Sequence, residues 1–576
     1  MSDFTERTLG WVQEASLITS LKDVVSVFVK DSKMNKALRK DKLPRLISKE
    51  DGRDEFIKLL SEDNIVIPYS YLKGRGLVKG ETRATSPCTG IIQATLKGQR
   101  REYQSDWPAD SYLRWAISIG FLVYDRVEDT CSISNLGRRY VNATSSLDEK
   151  KALTLGFLSN PPIVRVMSLL ESQGHLTKFE IGSQLGFVGE AGFTSIPQDL
   201  IVQAIVDEPE ERTNILRDVE GTSDKYARMI CSWLQQLGWV QQVSKEVIVS
   251  VGSKEYKTII PQSFRLTLRG RTALKRAYGT SSVKRIPKYV MWEMLSTKPS
   301  DKRYLRNRRA KIILYMNNTF RTLEDIQKHL EKDNYKESLS TIADDLTGFE
   351  QIGLSVANVN NKYKIMDSII GLEIPVIEGN EKFEKSAISE LKDTIRDKLV
   401  AIPHKYLVLI DLSFDGKSNR DFELQTIDLL TKELDFKGFR LGDTRKPDGI
   451  IFRSENGVII DNKAYKEGYS LPMSQADEMI RYIEENKTRD KTQNSNEWWK
   501  HFDSTVREFR YLFVSSVFVG GFRDRLDYIS KRTSVNGGAI SSANLLLFAE
   551  GLKSKNITYE DGFKLFDRND EISFTS

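Results

Sequence analysis

Two short apolar runs facing each other across a turn constrain this chain more than any other stretch. Ile450-Ile451-Phe452 and Val458-Ile459-Ile460 are rich in β-branched and aromatic residues. Asn456-Gly457 between them, with Ser454-Glu455 widening the loop, is a turn signal, so the segment predicts a β-hairpin. Folding back there brings Asp448, at the start of the first strand, beside Asp461 at the end of the second. Strand side chains alternate between faces, so Asp461 and Lys463 project together.

Two hard oxygen ligands converging on one point suit Mg²⁺, which binds a couple of carboxylates and completes its shell with water and substrate phosphate. Such a metal lowers the pKa of a bound water and neutralises charge on a phosphodiester under attack. Lys463, a compact point charge beside it, would position that water and stabilise the developing oxyanion. Pro447-Asp448 followed by Asp461-Asn462-Lys463 is the nuclease pattern PD…(D/E)xK. Acid-x-Lys triplets are common in a chain that is 29% charged, and the alternative for each is a solvated strand end. The hairpin context gives this one its weight.

At 576 residues the chain has room for about four domains. No apolar run approaches the length of a membrane helix, and Met1-Ser2-Asp3-Phe4-Thr5-Glu6 has neither a basic start nor an apolar core, so a cytoplasmic, non-membrane protein is expected. Cys88, Cys131 and Cys231 form no CxxC pair, which points to a reducing compartment and away from structural zinc. The net charge of +6 is unevenly placed: residues 264–311 hold fifteen Lys or Arg against Glu293 and Asp301, with aromatics interleaved. Such a block attracts phosphate; the alternative is a solubilising surface.

Along the chain one arrangement recurs. In residues 1–145 a basic segment at 35–47 and a strand at 90–96 precede helical periodicity over 113–122 that ends at a glycine. In residues 146–285 a short capped helix at 175–186 precedes residues 223–238, where Tyr226, Ile230, Trp233, Leu234 and Leu237 make one apolar stripe and Lys225 and Arg228 lie near the helix start, where recognition helices touch DNA. Residues 286–371 repeat the pattern with more acid, at 322–330 and 341–346, which assigns this third unit to protein contacts. A linker is expected at 372–386. The region 387–576 then reads as helices over 384–399 and 422–430, the hairpin, a further helix, and the strand 511–519: an α/β sheet with the site on one edge. The fold class is multidomain α/β and α+β, with three winged helix-turn-helix-like recognition subdomains and a PD-(D/E)xK α/β nuclease domain.

Gly10-Trp11-Val12-Gln13, Phe193-Thr194-Ser195, the run 223–229, Lys446-Pro447-Asp448-Gly449, Asp461-Asn462-Lys463-Ala464-Tyr465, and Gln475-Ala476-Asp477-Glu478-Met479 with Arg481-Tyr482 together resemble the FokI family of type IIS restriction endonucleases, over essentially the whole chain. The resemblance implies that Asp448 and Asp461 hold Mg²⁺, that Lys463 serves the attacking water, and that Glu423 is an outer candidate. It implies a transient homodimer on DNA through Asp477 and Arg481. Sequence alone reads these two equally as an intrahelical ion pair worth about 0.3–0.5 kcal/mol. It places base contacts at Gln13, Arg83, Gln99 and Trp107 in the first subdomain and at Glu220, Lys225 and Arg228 in the second. Glu14 and Arg217 join these as DNA-binding positions where the family type has amides, and Val219 replaces a tryptophan, so the site is GGATG or a close variant. A companion DNA methyltransferase is implied as well.

The expectation is therefore a Mg²⁺-dependent endonuclease that binds an asymmetric duplex site and cuts both strands at a fixed distance to one side. A non-cleaving DNA-binding regulator would lack one of Asp448, Asp461 and Lys463, and all are present. A structure-selective repair or transposition nuclease would share the metal site without needing base-reading helices. The nuclease domain is expected to rest against the third subdomain until a site is bound.

Overall fold

The computed structural model describes residues 5–251, 254–280, 283–375, 384–442 and 445–574. Of the expected linker, residues 376–383 lie outside the described residues. The expected unit, a helical part followed by a β-hairpin wing, occurs three times. In the first, the helix Asp106–Ser118 runs into the antiparallel pair Leu122–Asp125 and Thr130–Ile133. In the second, Thr177 and Glu180 close a capping box on the helix Lys178–Gly182, and the helix Thr222–Gln236 precedes the long hairpin Val240–Val251 and Lys254–Leu266. In the third, Thr322 and Asp325 cap Leu323–Glu331, and Leu339–Gln351 leads into Val356–Val359 and Lys362–Ile365. Each cap satisfies backbone N–H groups that a first helical turn leaves open.

The first two units share one core. Trp233 of the second stacks on Trp115 of the first, ring centroids 4.3 Å apart, and both are buried. A stacked aromatic pair adds roughly 0.5–1.5 kcal/mol to the burial of its own area.

Three expectations are corrected here. Residues 90–96 are not a strand: Ile91–Thr95 is a short helix whose residues are all buried. A Cβ on Gly90 would meet the Gly74 backbone at 2.4 Å, so tertiary packing overrides the local β preference. The first-unit helix begins at Asp106 and ends at Ser118; Pro108 sits in its first turn, where no helical N–H bond is lost. Part of the basic block turns inward: Arg306, Arg308 and Arg309 are buried on the helix Lys302–Met316. Arg308 and Arg309 both grip Asp345, at 2.8 and 2.7 Å. Arg265, Arg269, Arg271, Lys275 and Arg276 of the same block stay exposed.

In the nuclease region six strands lie side by side in chain order: Lys437–Arg440, Gly449–Arg453, Asn456–Lys463, Glu508–Ser515, Gly537–Ser541 and Glu571–Ile572. The first three are antiparallel and the later neighbours parallel. The hairpin carrying Asp448 and Asp461 supplies the second and third strands, so the site opens from the strand ends within the sheet rather than from an edge strand. The expected helices at 384–399 and 422–430 are Ala387–Arg396 and Asn419–Asp428. The hairpin turn is Ser454-Glu455, with Ser454 at φ 55; Arg453 pairs with Asn456. Gly457 lies within the strand, where a Cβ would come within 2.8 Å of Val506 and 2.9 Å of Phe502.

The nuclease sheet is docked on the recognition half over more than the third unit. A second core joins Leu200, Ile201, Val247 and Tyr256 of the second unit to the nuclease domain, and Tyr256 meets Phe439 with ring centroids 6.0 Å apart. The third unit contributes charge: Asp344 accepts from Arg396 at 2.7 Å and lies 2.9 Å from His404 Nδ1, and Glu337 binds Lys385 at 2.7 Å. No single helix among the described residues is long and apolar enough to cross a membrane.

Candidate active site and DNA interface

Strand register places the carboxylates. Gly449 pairs with Ile460, which sets Asp448 and Asp461 across from each other at the hairpin's open end. Asp448 Oδ2 accepts the backbone N–H of Asn462 at 2.6 Å, and Lys463 Nζ donates to Asp461 Oδ1 at 2.8 Å. Asp461 is 4% exposed, so its charge is poorly solvated. Two helices brace the pair. Thr426 on Asn419–Asp428 accepts the Asn462 amide at 2.8 Å, and Tyr482 on Met473–Thr488 donates its hydroxyl to the Lys446 carbonyl at 2.8 Å, two residues ahead of Asp448. Glu423 accepts from Arg440 Nε and Nη2 at 3.0 and 2.9 Å.

Burial pushes both aspartic carboxyls up, Asp461 being raised further by Asp448 and Asp448 by Glu423, while Lys463 opposes the rise in each. Each carboxyl thus feels the other across the open end of the hairpin. Burial works against the Lys463 ammonium, but Asp461 and then Asp448 outweigh it and hold its pKa up. Burial also raises Glu423 against the pull of Arg440. Two buried like charges with one ammonium bound to Asp461 favour a further cation. Among the described residues no cluster of three or more His, Cys, Asp or Glu is arranged to hold a metal. A two-carboxylate donor set fits Mg²⁺, which leaves the rest of its shell to water and phosphate oxygens.

The expected base-contact residues divide into groups. Glu14 and Arg83 come together at 3.6 Å, both exposed, and Trp107 lies under the guanidinium groups of Arg83 and Arg114, at 6.0 and 5.7 Å. Gln99 is exposed on the loop before that helix. Gln13 is half-buried and opposes the rise that burial imposes on the Tyr226 hydroxyl. In the second unit Arg217 is exposed and paired with its neighbour Asp218 at 2.8 Å. Lys225 is partly buried at the helix start and feels Asp421 of the nuclease domain. Glu220 is turned inward, its side chain 4% exposed, held by Lys178 at 2.6 Å and by Arg228 at 2.9 Å. Glu220 and Arg228 therefore face each other here.

Asp477 and Arg481 both lie on Met473–Thr488 but not in one ion pair. Arg481 Nη2 donates to Glu478 at 3.2 Å and its Nε lies 3.8 Å from Glu485, while Asp477 accepts from the Tyr528 hydroxyl at 3.3 Å. Sequence reasoning missed Lys178, Thr426 and Tyr482, all of which act across large separations in the chain. All three stand in stretches singled out from the sequence, Tyr482 beside Arg481, but nothing local shows the partner that each one meets.

Four family descriptions match the sequence: FokI recognition domain subdomain 1 over residues 7–143, subdomain 2 over 149–282, the FokI D3 domain over 295–361, and the FokI cleavage domain over 385–573. Type II restriction enzyme FokI of Planomicrobium okeanokoites is 38% identical, covering 99% of each chain. Type II restriction enzyme StsI of Streptococcus sanguinis is 28% identical over 97% of this chain and 95% of its own. Among solved structures, restriction endonuclease FokI aligns with a TM-score of 0.91 at 38% identity, and FokI bound to DNA with 0.93 at 37%, each covering 99% of this chain and 100% of the other.

Proposed function

The chain belongs to the FokI family of type II restriction enzymes, and on that premise we propose that it binds an asymmetric double-stranded site, GGATG or a close variant, and hydrolyses both strands at a fixed distance outside it. The observation that carries this is the hairpin bringing Asp448, Asp461 and Lys463 together at one end of a braced sheet, in a chain that also holds three winged-helix units. Asp448 and Asp461 would hold Mg²⁺, which when bound supplies charge neutralisation at the phosphodiester and an acidified water. Lys463, already charged and fixed by Asp461, orients the attacking water and faces the oxyanion as it forms. Asn462 and Thr426 fix the strand end, and Glu423 with Arg440 sets the field behind the pair. Sequence choice resides in the recognition units: Arg83, Gln99 and Arg217 offer exposed side chains, with Lys225 part-buried at its helix start, and arginine and glutamine pair bidentately with guanine and adenine. Phosphate contacts position the protein without reading sequence.

The DNA FokI is bound to in its solved complex supports duplex DNA as the partner. The reading extends to a transient homodimer through Asp477 and Arg481, to recognition subdomains over 1–145, 146–285 and 286–371, a nuclease domain over 387–576, a methyltransferase acting on the same site, and a cytoplasmic location. Gel shift with site DNA lacking metal, run beside cleavage with Mg²⁺, tests the division of labour. Asp448→Ala and Asp461→Asn should bind as wild type and not cut. Loss of binding in both would contradict it.

A further inference from the structure

The nuclease domain rests with its active-site loop against the end of the helix Gln198–Asp207 of the second recognition unit. Lys446, two residues ahead of Asp448, donates its ammonium to Glu208 Oε1 at 2.7 Å, while its carbonyl accepts from Tyr482. The adjoining Asp207 lies 3.8 Å from His501 Nδ1 of the nuclease domain and 3.9 Å from Lys254 of its own unit. A carboxylate of the recognition half thus meets a nuclease ammonium two residues ahead of Asp448 in the chain, and a second, Asp207, lies beside the His501 ring.

Those carboxylates stand where a helix disfavours them. Asp207 is the last residue of its helix and Glu208 the cap, and the C-terminal end of a helix carries partial negative charge. The local sequence works against itself there, and Lys446 of the other domain supplies the compensating cation. A conflict between local preference and observed charge marks a position retained for another reason. On the nuclease side, a lysine ammonium is a compact charge suited to one phosphate oxygen. Its backbone is tied to the loop that presents Asp448, so whatever Lys446 binds is positioned relative to the carboxylate pair.

We propose that Lys446 is a DNA-phosphate contact of the cleaving domain, and that Glu208 occupies its phosphate seat while the domain is docked. This rests on the nuclease reading above. Glu208 then stands in for the substrate's own charge, and release of the domain exchanges one anion for another at the same ammonium.

The two halves of this ion pair are distinguished by the sign of their substitution. In the full-length protein, Glu208→Gln should raise the initial cleavage rate of plasmid DNA, and Lys446→Gln should lower it by about tenfold with a weaker dependence on salt. Glu208→Gln should bind site DNA as wild type in gel shift without metal. Lys446→Arg keeps a cation and should cut within about threefold of wild type, which separates a charge role from a folding defect. An ordinary interdomain ion pair predicts that Glu208→Gln and Lys446→Gln move the rate in the same direction, and that result overturns the assignment. Failure of the wild type to cut at all would fell the nuclease reading instead, so the two failures are distinguishable.

Discussion

Asp448 is tied to the strand that carries Asp461, through the 2.6 Å hydrogen bond its carboxylate accepts from the Asn462 N–H. The bond fixes the spacing of two carboxyls that repel each other, so the site holds them together against their own charge. Asp461→Asn should therefore leave melting unchanged or raise it in metal-free buffer above pH 6, since burial and Asp448 make ionisation of Asp461 costly. Cleavage should fall by roughly a thousandfold or more, the scale of losing a principal charge-stabilising group. Thermal melts and initial rates on one preparation check both. A large drop in stability would show that the pair is structural.

Metal binding at this pair should release protons. Burial raises both carboxyls, so a cation must displace protons they hold near neutrality, and apparent affinity should climb as pH rises until both are ionised. Calorimetric titration with Mg²⁺ in two buffers of different ionisation enthalpy reads the proton count. An affinity flat from pH 5.5 to 8.5 would contradict it.

Glu220 holds the buried Lys178 ammonium. Removing one partner of a buried pair leaves an uncompensated charge, at a cost of about 3–5 kcal/mol. Glu220→Ala should therefore melt early and lose DNA binding through unfolding, and Glu220→Ala with Lys178→Met should recover most of the stability. If Glu220→Ala kept its melting point but lost discrimination at a single base pair, base reading would be its main role.

Docking against the third unit should weaken as pH rises. The Asp344 hydrogen bond, against the opposing effect of burial, raises the His404 pKa. A raised histidine contributes fully below its free value of about 6.5 and loses that contribution as pH climbs through the higher folded value. Small-angle scattering of the DNA-free protein should show a larger radius at pH 8.5 than at pH 6, the change shrinking in His404→Gln. Arg396, which also holds Asp344, keeps the effect partial. Equal changes in both proteins would exclude His404 as the cause.

Arg481→Ala should cost little stability: its bond to Glu478 is a part-exposed intrahelical contact of about 0.3–0.5 kcal/mol, and the buried Glu485, 3.8 Å from Arg481, keeps its hydrogen bonds from Asn494 and Trp498. If the dimer reading holds, its cleavage should depend more steeply on enzyme concentration than that of wild type, with site binding unaltered. Parallel concentration dependences would remove Arg481 from the dimer surface.

What could be read in the chain was whatever short-range pattern controls. The carboxylate pair followed from strand alternation and a fold-back, which survive even though the turn lies at Ser454-Glu455 and not at Asn456-Gly457. Caps such as Thr177 with Glu180 announced the helix starts. Ile91–Thr95 was misread because its β-branched residues pack in a tertiary setting that favours a helix. Arg308 and Arg309 were read as surface because nothing nearby in sequence shows that Asp345 and Glu190 meet them inside the protein. The same limit hid Lys446 and Glu208, 238 positions apart.

The most direct test of the central claim is to digest a sequenced plasmid with wild type and Asp448→Ala in Mg²⁺ and map every end on both strands. Site-directed cleavage at a distance predicts discrete ends at constant offsets from one recurring asymmetric pentamer, absent with the variant. Ends scattered without a shared motif, or ends persisting in Asp448→Ala, would contradict it.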